Sequence, residues 1–263
     1  MIKLAANLGF MYQEVPLPDR FSLAAKDGFK GVEFLFPYEW PATNIKARLD
    51  ENGLTQALFN LYPGDWASGE RGLASLPGKE QDFENSLLQA LDYAANLRCD
   101  HLHVMAGLRQ PDISTHAQQD IFIRNLSKAV LKAQTYDITL LIEPINQIDM
   151  PAYFLDSFEM AADIITRIDH PSLKLQFDIY HCQRIKGSVA HSLTKYLPMT
   201  GHIQIADTPG RHEPGSGEIN FQYLFDIIKK NKYTGWVGCE YIPSTTTSKT
   251  LGWAEQYSAP PKP

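Results

Sequence analysis

The stretch Thr139-Leu140-Leu141-Ile142-Glu143-Pro144-Ile145-Asn146 runs from apolar residues into a carboxylate, a proline and a polar loop. A continuous apolar run of this kind predicts a strand that is buried on both faces, as in a parallel sheet. Ligands bind at the carboxyl ends of such strands, so Glu143 is the first residue that the sequence suggests for a functional site. The alternative for this glutamate is a helix cap or a surface salt bridge.

A regular alternation of apolar strands and amphipathic helices extends to both sides of this stretch. The other seven predicted strands cover residues 4–8, 31–36, 54–60, 101–105, 173–177, 201–205 and 236–239. The predicted helices cover residues 21–27, 45–52, 80–97, 121–134, 154–168, 188–197 and 221–230, with a last short helix near 252–257. No hairpin signal separates the strands, which indicates a parallel sheet with crossover helices.

Eight strand and helix units predict an α/β protein with a single closed (β/α)8 barrel, an architecture of about 250 residues. We expect the barrel domain to cover residues 1–258 and the proline-rich end, 259–263, to be a disordered tail. An open, doubly wound sheet is the alternative, but no GxGxxG follows the first strand. Residues 61–79 form a long predicted loop, in which Glu70 and Arg71 could close over a site.

Composition and charge favour a small-molecule substrate. The chain has 263 residues, of which 44% are hydrophobic, and its formal net charge of -6 argues against a nucleic acid or an anionic membrane as partner. Cys99, Cys182 and Cys239 indicate neither a disulfide framework nor a thiolate zinc site. The N-terminal segment turns polar too soon for a signal peptide, so we expect a cytoplasmic protein. A homo-oligomer is compatible with the sequence.

Three further strands end as the opening stretch does. Asp178 ends the sixth strand, Gln204 lies near the end of the seventh, and Glu240 ends the eighth. In a barrel these ends meet at one face, where three carboxylates would repel one another unless a cation lay between them. We therefore predict a divalent metal site of Glu143, Asp178, Gln204 and Glu240. Oxygen ligands favour Mg²⁺ or Mn²⁺ over zinc. The alternative is that each acid caps a helix or forms a salt bridge.

A second group of residues lies close to these strand ends. His181, three residues after Asp178, could donate a hydrogen bond to a substrate oxygen, and Arg211 could bind an anionic or hydroxylated substrate. Asp149 could orient a ligand, although a loop aspartate is more often a turn residue. His103 could point into the barrel, where a structural core histidine is the alternative. For His181 the alternative is a structural histidine, and for Arg211 it is a solvated loop arginine.

Seven segments, spread from one end of the chain to the other, carry a resemblance to a known family. They are Glu33-Phe34-Leu35-Phe36-Pro37-Tyr38, Pro63-Gly64-Asp65-Trp66, Leu141-Ile142-Glu143-Pro144-Ile145-Asn146, Gln176-Phe177-Asp178-Ile179-Tyr180-His181, Gly201-His202-Ile203-Gln204-Ile205-Ala206-Asp207, Glu213-Pro214-Gly215-Ser216-Gly217-Glu218-Ile219-Asn220 and Gly235-Trp236-Val237-Gly238-Cys239-Glu240-Tyr241. They closely resemble the hydroxypyruvate isomerase family, whose members are xylose isomerase-like TIM barrels. The resemblance therefore implies the fold that the strand pattern predicts.

The resemblance also implies a reaction and its residues. Glu143 and Glu240 would be the catalytic proton donor and acceptor, and they would bind a divalent metal together with Asp178 and Gln204. The implied reaction interconverts hydroxypyruvate and tartronate semialdehyde through an enediolate. One carboxylate removes the proton from the hydroxyl-bearing carbon and the second acts as acid. A metal that chelates both oxygens would stabilise the developing charge.

Other functions stay open at this point. Residues 61–78 and 103–107 resemble the branch of the same family that acts on 2-oxo-tetronate. The related ketose 3-epimerases have a histidine where this chain has Gln204, which counts against that activity, although their substrate sites have a histidine and an arginine that match His181 and Arg211. A metal-dependent endonuclease would need a histidine-rich multi-zinc cluster. A carbohydrate-binding barrel without catalysis is the remaining alternative.

Overall fold

Eight parallel strands form the centre of the protein. The computed structural model describes residues 2–255 and 257, and every bound given below refers to these residues. The strands are β1 (Lys3–Asn7), β2 (Gly31–Phe34), β3 (Thr55–Asn60), β4 (His101–His103), β5 (Thr139–Ile142), β6 (Leu173–Asp178), β7 (Thr200–Ile205) and β8 (Trp236–Cys239). Each strand pairs in parallel with the next, and β8 pairs with β1, so the sheet closes. The predicted (β/α)8 barrel is confirmed.

Eight α-helices accompany the strands in the described part of the chain. They are α1 (Leu17–Lys26), α2 (Ala42–Asn52), α3 (Glu80–Leu97), α4 (Thr115–Gln134), α5 (Phe158–Ile168), α6 (Ile179–Ile185), α7 (Val189–Tyr196) and α8 (Phe221–Lys230). Each of the longer helices buries one apolar face; in α3 this face includes Phe83, Leu87 and Leu91, at helical spacing. A short 3₁₀ turn, Gly252–Ala254, lies within the region 252–257 where the sequence predicts a last helix, and a second, Thr247–Thr250, precedes it.

A side-chain cap explains why one helix begins later than predicted. The predicted helix over 154–168 begins only at Phe158, because Oγ of Ser157 accepts the hydrogen bond from the backbone N–H of Met160. The periodicity did not predict α6, which has seven residues and is too short to show a clear apolar stripe. This helix begins directly after Asp178, which is important for the site described below.

The long segment over 61–79 has a fixed part and an exposed part. Gly72 pairs with Ala106 in an antiparallel bridge, and the backbone N–H of Ser75 donates to the carbonyl of Ala106 at 2.9 Å. Gly72 has φ +117°, and a Cβ there would lie 2.3 Å from the carbonyl oxygen of Met105, so only glycine fits. Before this fixed part, Trp66 is 40% exposed. The exposed turns around Trp66 are therefore followed by a part of the segment, Gly72 to Ser75, that is held against Ala106.

The predicted disordered tail, 259–263, lies outside the described residues, and the division of the chain at residue 258 stays a prediction. Within the described residues, no helix has both the length and the apolar character needed to cross a membrane. Cys99, Cys182 and Cys239 are buried and free.

Candidate active site

The four residues predicted to bind a metal lie at the carboxyl end of the barrel. Glu143 follows β5, Asp178 is the last residue of β6, Gln204 is the last but one of β7, and Glu240 follows β8. The strand register places Asp178 directly beside Gln204. All four residues are at most 5% exposed. Closure of the barrel thus buries three carboxylates at one end of the sheet, where charges require partners.

Glu143, Asp178 and His181 form a buried cluster that could hold a metal ion. Nε2 of His181 lies 4.0 Å from Oε1 of Glu143 and 3.9 Å from Oδ2 of Asp178. Within the part of the chain that the structure describes, neither of these two carboxylate oxygens has a hydrogen-bond partner. Buried oxygens without donors are costly, and a divalent cation would satisfy both. The cluster therefore fits a divalent cation.

Asp178 has a different role for each of its two oxygens. Oδ1 accepts hydrogen bonds from the backbone N–H groups of Tyr180, at 2.6 Å, and His181, at 3.2 Å, and so caps α6. Oδ2 faces Glu143 and His181. The sequence left a helix cap and a metal ligand as alternatives for this residue, but the geometry permits both. Capping fixes the rotation of the carboxylate and thereby the direction of Oδ2.

Arg211 lies within the same site. Its Nη2 donates to Oε2 of Glu240 at 2.5 Å and lies 4.0 Å from Oδ2 of Asp178. The guanidinium carbon is 4.8 Å from the ring centre of Phe10 and 4.9 Å from that of Tyr180, so the cation is held between two aromatic faces. The site therefore has a fixed cation of its own, with the planar geometry that binds carboxylates.

The loop that carries Arg211 is anchored to the carboxylate of Asp207. Four backbone N–H groups of this loop donate to it, at 2.9 to 3.0 Å: those of Thr208, Gly215, Gly217 and Ile219. A Cβ at Gly217 would lie 1.8 Å from the carbonyl oxygen of Thr208, so no side chain fits there. Sequence reasoning named Asp207 only as part of a motif and did not predict that its carboxylate holds this loop.

Burial and mutual repulsion perturb the ionisable groups of the site. Burial, followed by the charges of Asp178 and Glu240, raises the pKa of Glu143 well above its usual value. Burial raises the pKa of Glu240 to about 8, although Arg211 opposes this, and also raises the pKa of Asp178. Burial, aided by Arg211, lowers the pKa of His181 well below its usual value. Burial and like charges therefore favour the protonated forms of these carboxylates.

A group of polar side chains adjoins Gln204 and Glu240, and sequence reasoning missed it. Nε2 of Gln204 donates to Oε1 of Glu33 at 2.9 Å and to Oε1 of Glu240 at 3.2 Å. Nδ2 of Asn7 donates to the same two oxygens, at 3.0 Å each. Nε2 of His202 lies 2.7 Å from Oε2 of Glu33. The signal that could have revealed Glu33 is a charged residue inside an otherwise apolar strand.

Gln176 and His103 contact the other side of the cluster. Nε2 of Gln176 donates to Oε2 of Glu143 at 3.1 Å and to Oε1 of Gln204 at 2.6 Å. The amide oxygen of Gln204 keeps a second lone pair with which it could bind a cation. Nε2 of His103 lies 3.6 Å from Oε2 of Glu143, and burial lowers the pKa of His103 to about 3. His103 is thus a buried, neutral histidine beside Glu143.

The remaining residues singled out in the sequence lie outside the buried cluster. Asp149 borders it, since its Oδ2 lies 3.9 Å from Nη1 of Arg211. Glu70 accepts a backbone hydrogen bond within its own loop. The guanidinium carbon of Arg71 lies 3.9 Å from the ring centre of Trp66, also in that loop. The structure therefore does not bring Glu70 and Arg71 to the carboxylates.

The arrangement is suited to moving a proton within a small anionic substrate. Two buried carboxylates with raised pKa values can accept and return protons. A guanidinium group at the same place can hold an anionic substrate. The oxygens without donors can hold a cation that polarises a carbonyl group.

Comparison with known proteins relates the chain to a family of barrels. Residues 21–257 match a family model described as xylose isomerase-like TIM barrel. The chain is 50% identical to 2-oxo-tetronate isomerase of Cupriavidus necator, over 98% of this chain and 99% of that protein. It is 41% identical to hydroxypyruvate isomerase of Escherichia coli, over 98% and 100%. A crystal structure described as AP endonuclease, family 2, from Brucella melitensis has a TM-score of 0.96 and 43% identity, covering 98% of this chain and 100% of that chain.

Proposed function

Because this chain belongs to the xylose isomerase-like TIM barrel family and is an isomerase, we propose that it interconverts a 2-oxo-3-hydroxy acid and its 2-hydroxy-3-oxo isomer. The reaction moves a proton from C3 to C2 and the hydroxyl proton from the oxygen on C3 to the oxygen on C2, so that the carbonyl group passes from C2 to C3 and atoms and electrons balance without a redox partner. The observation that carries the proposal is the buried pair Glu143 and Glu240, whose pKa values are both raised.

We place the four-carbon acid 2-oxo-tetronate first among the substrates and hydroxypyruvate second. The sequence motifs from Leu141 onward favour hydroxypyruvate. However, the chain is more similar to the 2-oxo-tetronate isomerase of Cupriavidus necator than to the hydroxypyruvate isomerase of Escherichia coli. Residues 61–78 and 103–107, which resemble the four-carbon branch, support the same order. Both acids have the 2-oxo-3-hydroxy pattern that the reaction requires.

We further propose that the reaction depends on a divalent cation, Mg²⁺ or Mn²⁺. Glu143, Asp178, Gln204 and Glu240 would hold it, and the oxygens of Glu143 and Asp178 that have no donor among the described residues support this. Such a cation polarises the adjacent substrate oxygens and stabilises the negative charge that develops on them. The raised pKa values of the carboxylates also fit a site that exchanges protons for a cation.

Glu143 and Glu240 are the proposed proton carriers. One takes the proton from C3 and the other returns one to C2, while the substrate passes through an enediolate. Both side chains are held in place for this role. Nε2 of Gln176 donates to Glu143 at 3.1 Å, and Nδ2 of Asn7 donates to Glu240 at 3.0 Å. General acid and base groups are most effective when their pKa values lie near the working pH.

Arg211 and His181 are the proposed substrate-binding residues. The guanidinium group of Arg211, fixed between two aromatic rings, matches the planar carboxylate of a 2-oxo acid. It pairs with Glu240 in this structure, and a substrate carboxylate would compete with Glu240 for its N–H groups. This competition would release Glu240 for proton transfer. His181 faces Glu143 and Asp178, where the reacting oxygens of the substrate would lie.

The test is to incubate the protein with Mg²⁺ in D₂O and follow 2-oxo-tetronate and hydroxypyruvate in separate reactions by NMR. We expect the isomeric product, with deuterium at the carbon that receives the proton. We expect kcat/KM to be higher for the four-carbon acid. Faster turnover of hydroxypyruvate would reverse the order of substrates, and no turnover of either acid would refute the proposal. Omission of the metal should abolish most of the activity.

An endonuclease is the second function to test, because a structure 43% identical to this chain is described as one. The acidic chain and its carboxylate-rich cluster argue against it. Among the described residues, the group suited to a metal contains two carboxylates and a single histidine. Cleavage of DNA that contains an abasic site, with zinc added, would support the endonuclease. We expect no cleavage.

We propose a cytoplasmic location and a small 2-oxo or hydroxy acid as the binding partner, with neither nucleic acid nor membrane as a partner. The net charge of -6 and the three free, buried cysteines support this. A homo-oligomer is compatible with the proposal, and sedimentation measurements on the purified chain would establish its state.

A further inference from the structure

The side chain of Asn146 is held in one orientation by its own loop. Its Oδ1 accepts hydrogen bonds from the backbone N–H groups of Ile148 and Asp149, both at 3.0 Å. Its Nδ2 donates to Oδ2 of Asp149 at 3.1 Å. A rotated amide would set its NH₂ group against two N–H donors and its oxygen against a carboxylate. The hydrogen bonds therefore assign the nitrogen and the oxygen of this amide without ambiguity.

The same Nδ2 lies 2.7 Å from Nδ1 of His181. The backbone N–H of Asn146 also points at this ring nitrogen, at 3.4 Å. Both groups on Asn146 can only donate, so Nδ1 of His181 has to be the acceptor and carries no proton. A neutral imidazole has one N–H group, which in this ring is at Nε2. Asn146 and His181 are both buried, so water does not compete for these contacts.

We propose that Asn146 is a positioning residue that sets the tautomer of His181, so that His181 presents an N–H group to a substrate oxygen and does not bind the metal. Nε2 lies 4.0 Å from Oε1 of Glu143 and 3.9 Å from Oδ2 of Asp178, too far for a hydrogen bond to either. A ring nitrogen that carries a proton has no lone pair for a cation. The substrate contact rests on the proposed function, whereas the tautomer does not.

This assignment separates the two chemical roles in the cluster. The oxygens of Glu143 and Asp178 remain for the cation, together with those of Gln204 and Glu240, which gives the all-oxygen set that Mg²⁺ and Mn²⁺ prefer. His181 supplies a neutral donor at the place where negative charge develops on the substrate. The same three residues would otherwise resemble a mixed oxygen and nitrogen site, which suits zinc or cobalt better.

The experiment is ¹⁵N NMR of the full chain labelled at its histidine side chains, with and without Mg²⁺. A protonated and an unprotonated ring nitrogen have well-separated ¹⁵N shifts, and the His181→Asn variant identifies the signals of His181 by their loss. We expect an unprotonated Nδ1 and a protonated Nε2 in both states. An unprotonated Nε2 in the wild-type protein, or an Nε2 signal that loses its proton when Mg²⁺ is added, would overturn the proposal.

A pair of variants tests whether Asn146 is the cause. The double variant N146D/D149N reverses the hydrogen bond between the two side chains and preserves the net charge, but it places an acceptor against Nδ1. We expect the tautomer to reverse, with Nδ1 protonated, and kcat to fall about 10²-fold, as when one donor to a developing charge is lost. Asp149→Asn alone is the matched control, in which Asn146 still donates and the tautomer stays as in the wild type.

The outcomes separate this inference from the proposed function. If the double variant keeps the wild-type tautomer, Asn146 does not set it. A merely structural role for Asn146 would lower stability or activity without moving the proton. If the protein turns over neither acid, the substrate assignment fails, but the ¹⁵N spectrum still decides the tautomer. If the double variant does not fold, the wild-type spectrum alone can overturn the proposal.

Discussion

The two sides of the barrel mouth differ in what they bury. On the side of β5 to β8, the carboxylates of Glu143, Asp178 and Glu240 are at most 5% exposed, and the guanidinium group of Arg211 contacts Glu240 and lies 4.0 Å from Asp178. On the side of β1 to β3, there is an open cleft of about 760 Å³. Aromatic side chains from the loops after β2 and β3 line it: Phe36, Tyr38, Tyr62 and Trp66. The acidic side and the aromatic side, as we call them, thus have different chemistry.

The difference shows which side chains have to be placed accurately. On the acidic side, buried charges are held by hydrogen bonds from neighbouring strands, and a displaced charge there is costly. On the aromatic side, the ring of Trp66 contacts Phe36, with 5.4 Å between ring centres, and Arg71. Exposed contacts of this kind are worth about 1 kcal/mol each. We therefore expect changes on the acidic side to affect the chemical step, and changes on the aromatic side to affect binding.

The largest effect should follow from Glu143→Gln on the acidic side. Glutamine keeps the shape of the side chain but cannot accept the substrate proton, and it is a weaker cation ligand. We expect kcat to fall about 10²- to 10⁴-fold, the range typical of a general base. The measurement is steady-state kinetics at saturating Mg²⁺ with the better of the two acids.

Glu39→Gln is the matched control on the aromatic side, because Glu39 lines the cleft and is exposed. We expect its kcat to stay within about twofold of the wild type, as for surface changes away from the reacting atoms. Near wild-type turnover by the Glu143 variant, with Mg²⁺ present, would show that Glu143 is not the proton carrier. A large loss in the Glu39 variant would remove the contrast between the two sides.

A smaller effect should appear in the pH dependence of stability, and only on the acidic side. Burial raises the pKa of Glu240 to about 8, above the value of ~4.3 for a glutamate in an unfolded chain. The folded state therefore binds this proton more tightly than the unfolded state does. The resulting stabilisation is complete below about pH 4.3 and is lost as the pH rises through about 8. We expect the midpoint of urea unfolding of the metal-free protein to fall between about pH 6 and pH 8.5.

Saturating Mg²⁺ should reduce this fall, because the cation replaces the protons of the buried carboxylates. Glu240→Gln removes one of the buried titrating carboxylates and should reduce the fall in the metal-free protein, whereas the exposed Glu39→Gln should leave it unchanged. A midpoint that rises with pH over this window in the metal-free wild type would contradict the assignment. Unfolding followed by circular dichroism at matched ionic strength supplies the comparison.

The fold could be predicted from the sequence because the signals for strands and helices are local. The helices Glu80–Leu97 and Phe221–Lys230 and the strand Trp236–Cys239 have the bounds that their periodicity predicts. Bounds set by a side-chain cap were harder to predict, as the missed helix after Asp178 shows. A cap is a single hydrogen bond, which leaves little trace in the pattern of apolar residues.

The sequence predicted those site residues that the barrel topology brings together, but not the other side chains that contact them. The strand ends of a (β/α)8 barrel meet at one face, which is why Glu143 and its three partners could be named together. The contact between His202 and Glu33 spans 169 positions, and the one between Asn7 and Glu240 spans 233. No local pattern indicates which side chains meet across a closed sheet. The orientation of the Asn146 amide likewise depends on donors that only the folded loop supplies.

The smallest effect should follow from Trp66→Ala on the aromatic side. Loss of its contacts with Phe36 and Arg71 loosens the wall of the cleft but leaves the carboxylates in place. A contact of about 1 kcal/mol corresponds to a change in KM of about fivefold. We expect KM to rise by this amount, more for 2-oxo-tetronate than for the shorter hydroxypyruvate, and kcat to stay within about twofold. A rise in KM without a change in kcat indicates that the lost contact stabilises the bound substrate and the transition state equally.

Trp40→Ala is the control for this variant, since Trp40 is also exposed but is not among the residues that line the cleft. It removes the same amount of side chain from the same kind of environment, so a general loss of stability would affect both variants alike. If KM rises only in the Trp66 variant, the cleft contributes to substrate binding. If kcat of the Trp66 variant falls a hundredfold instead, the aromatic side takes part in the chemical step, and the division between the two sides is wrong.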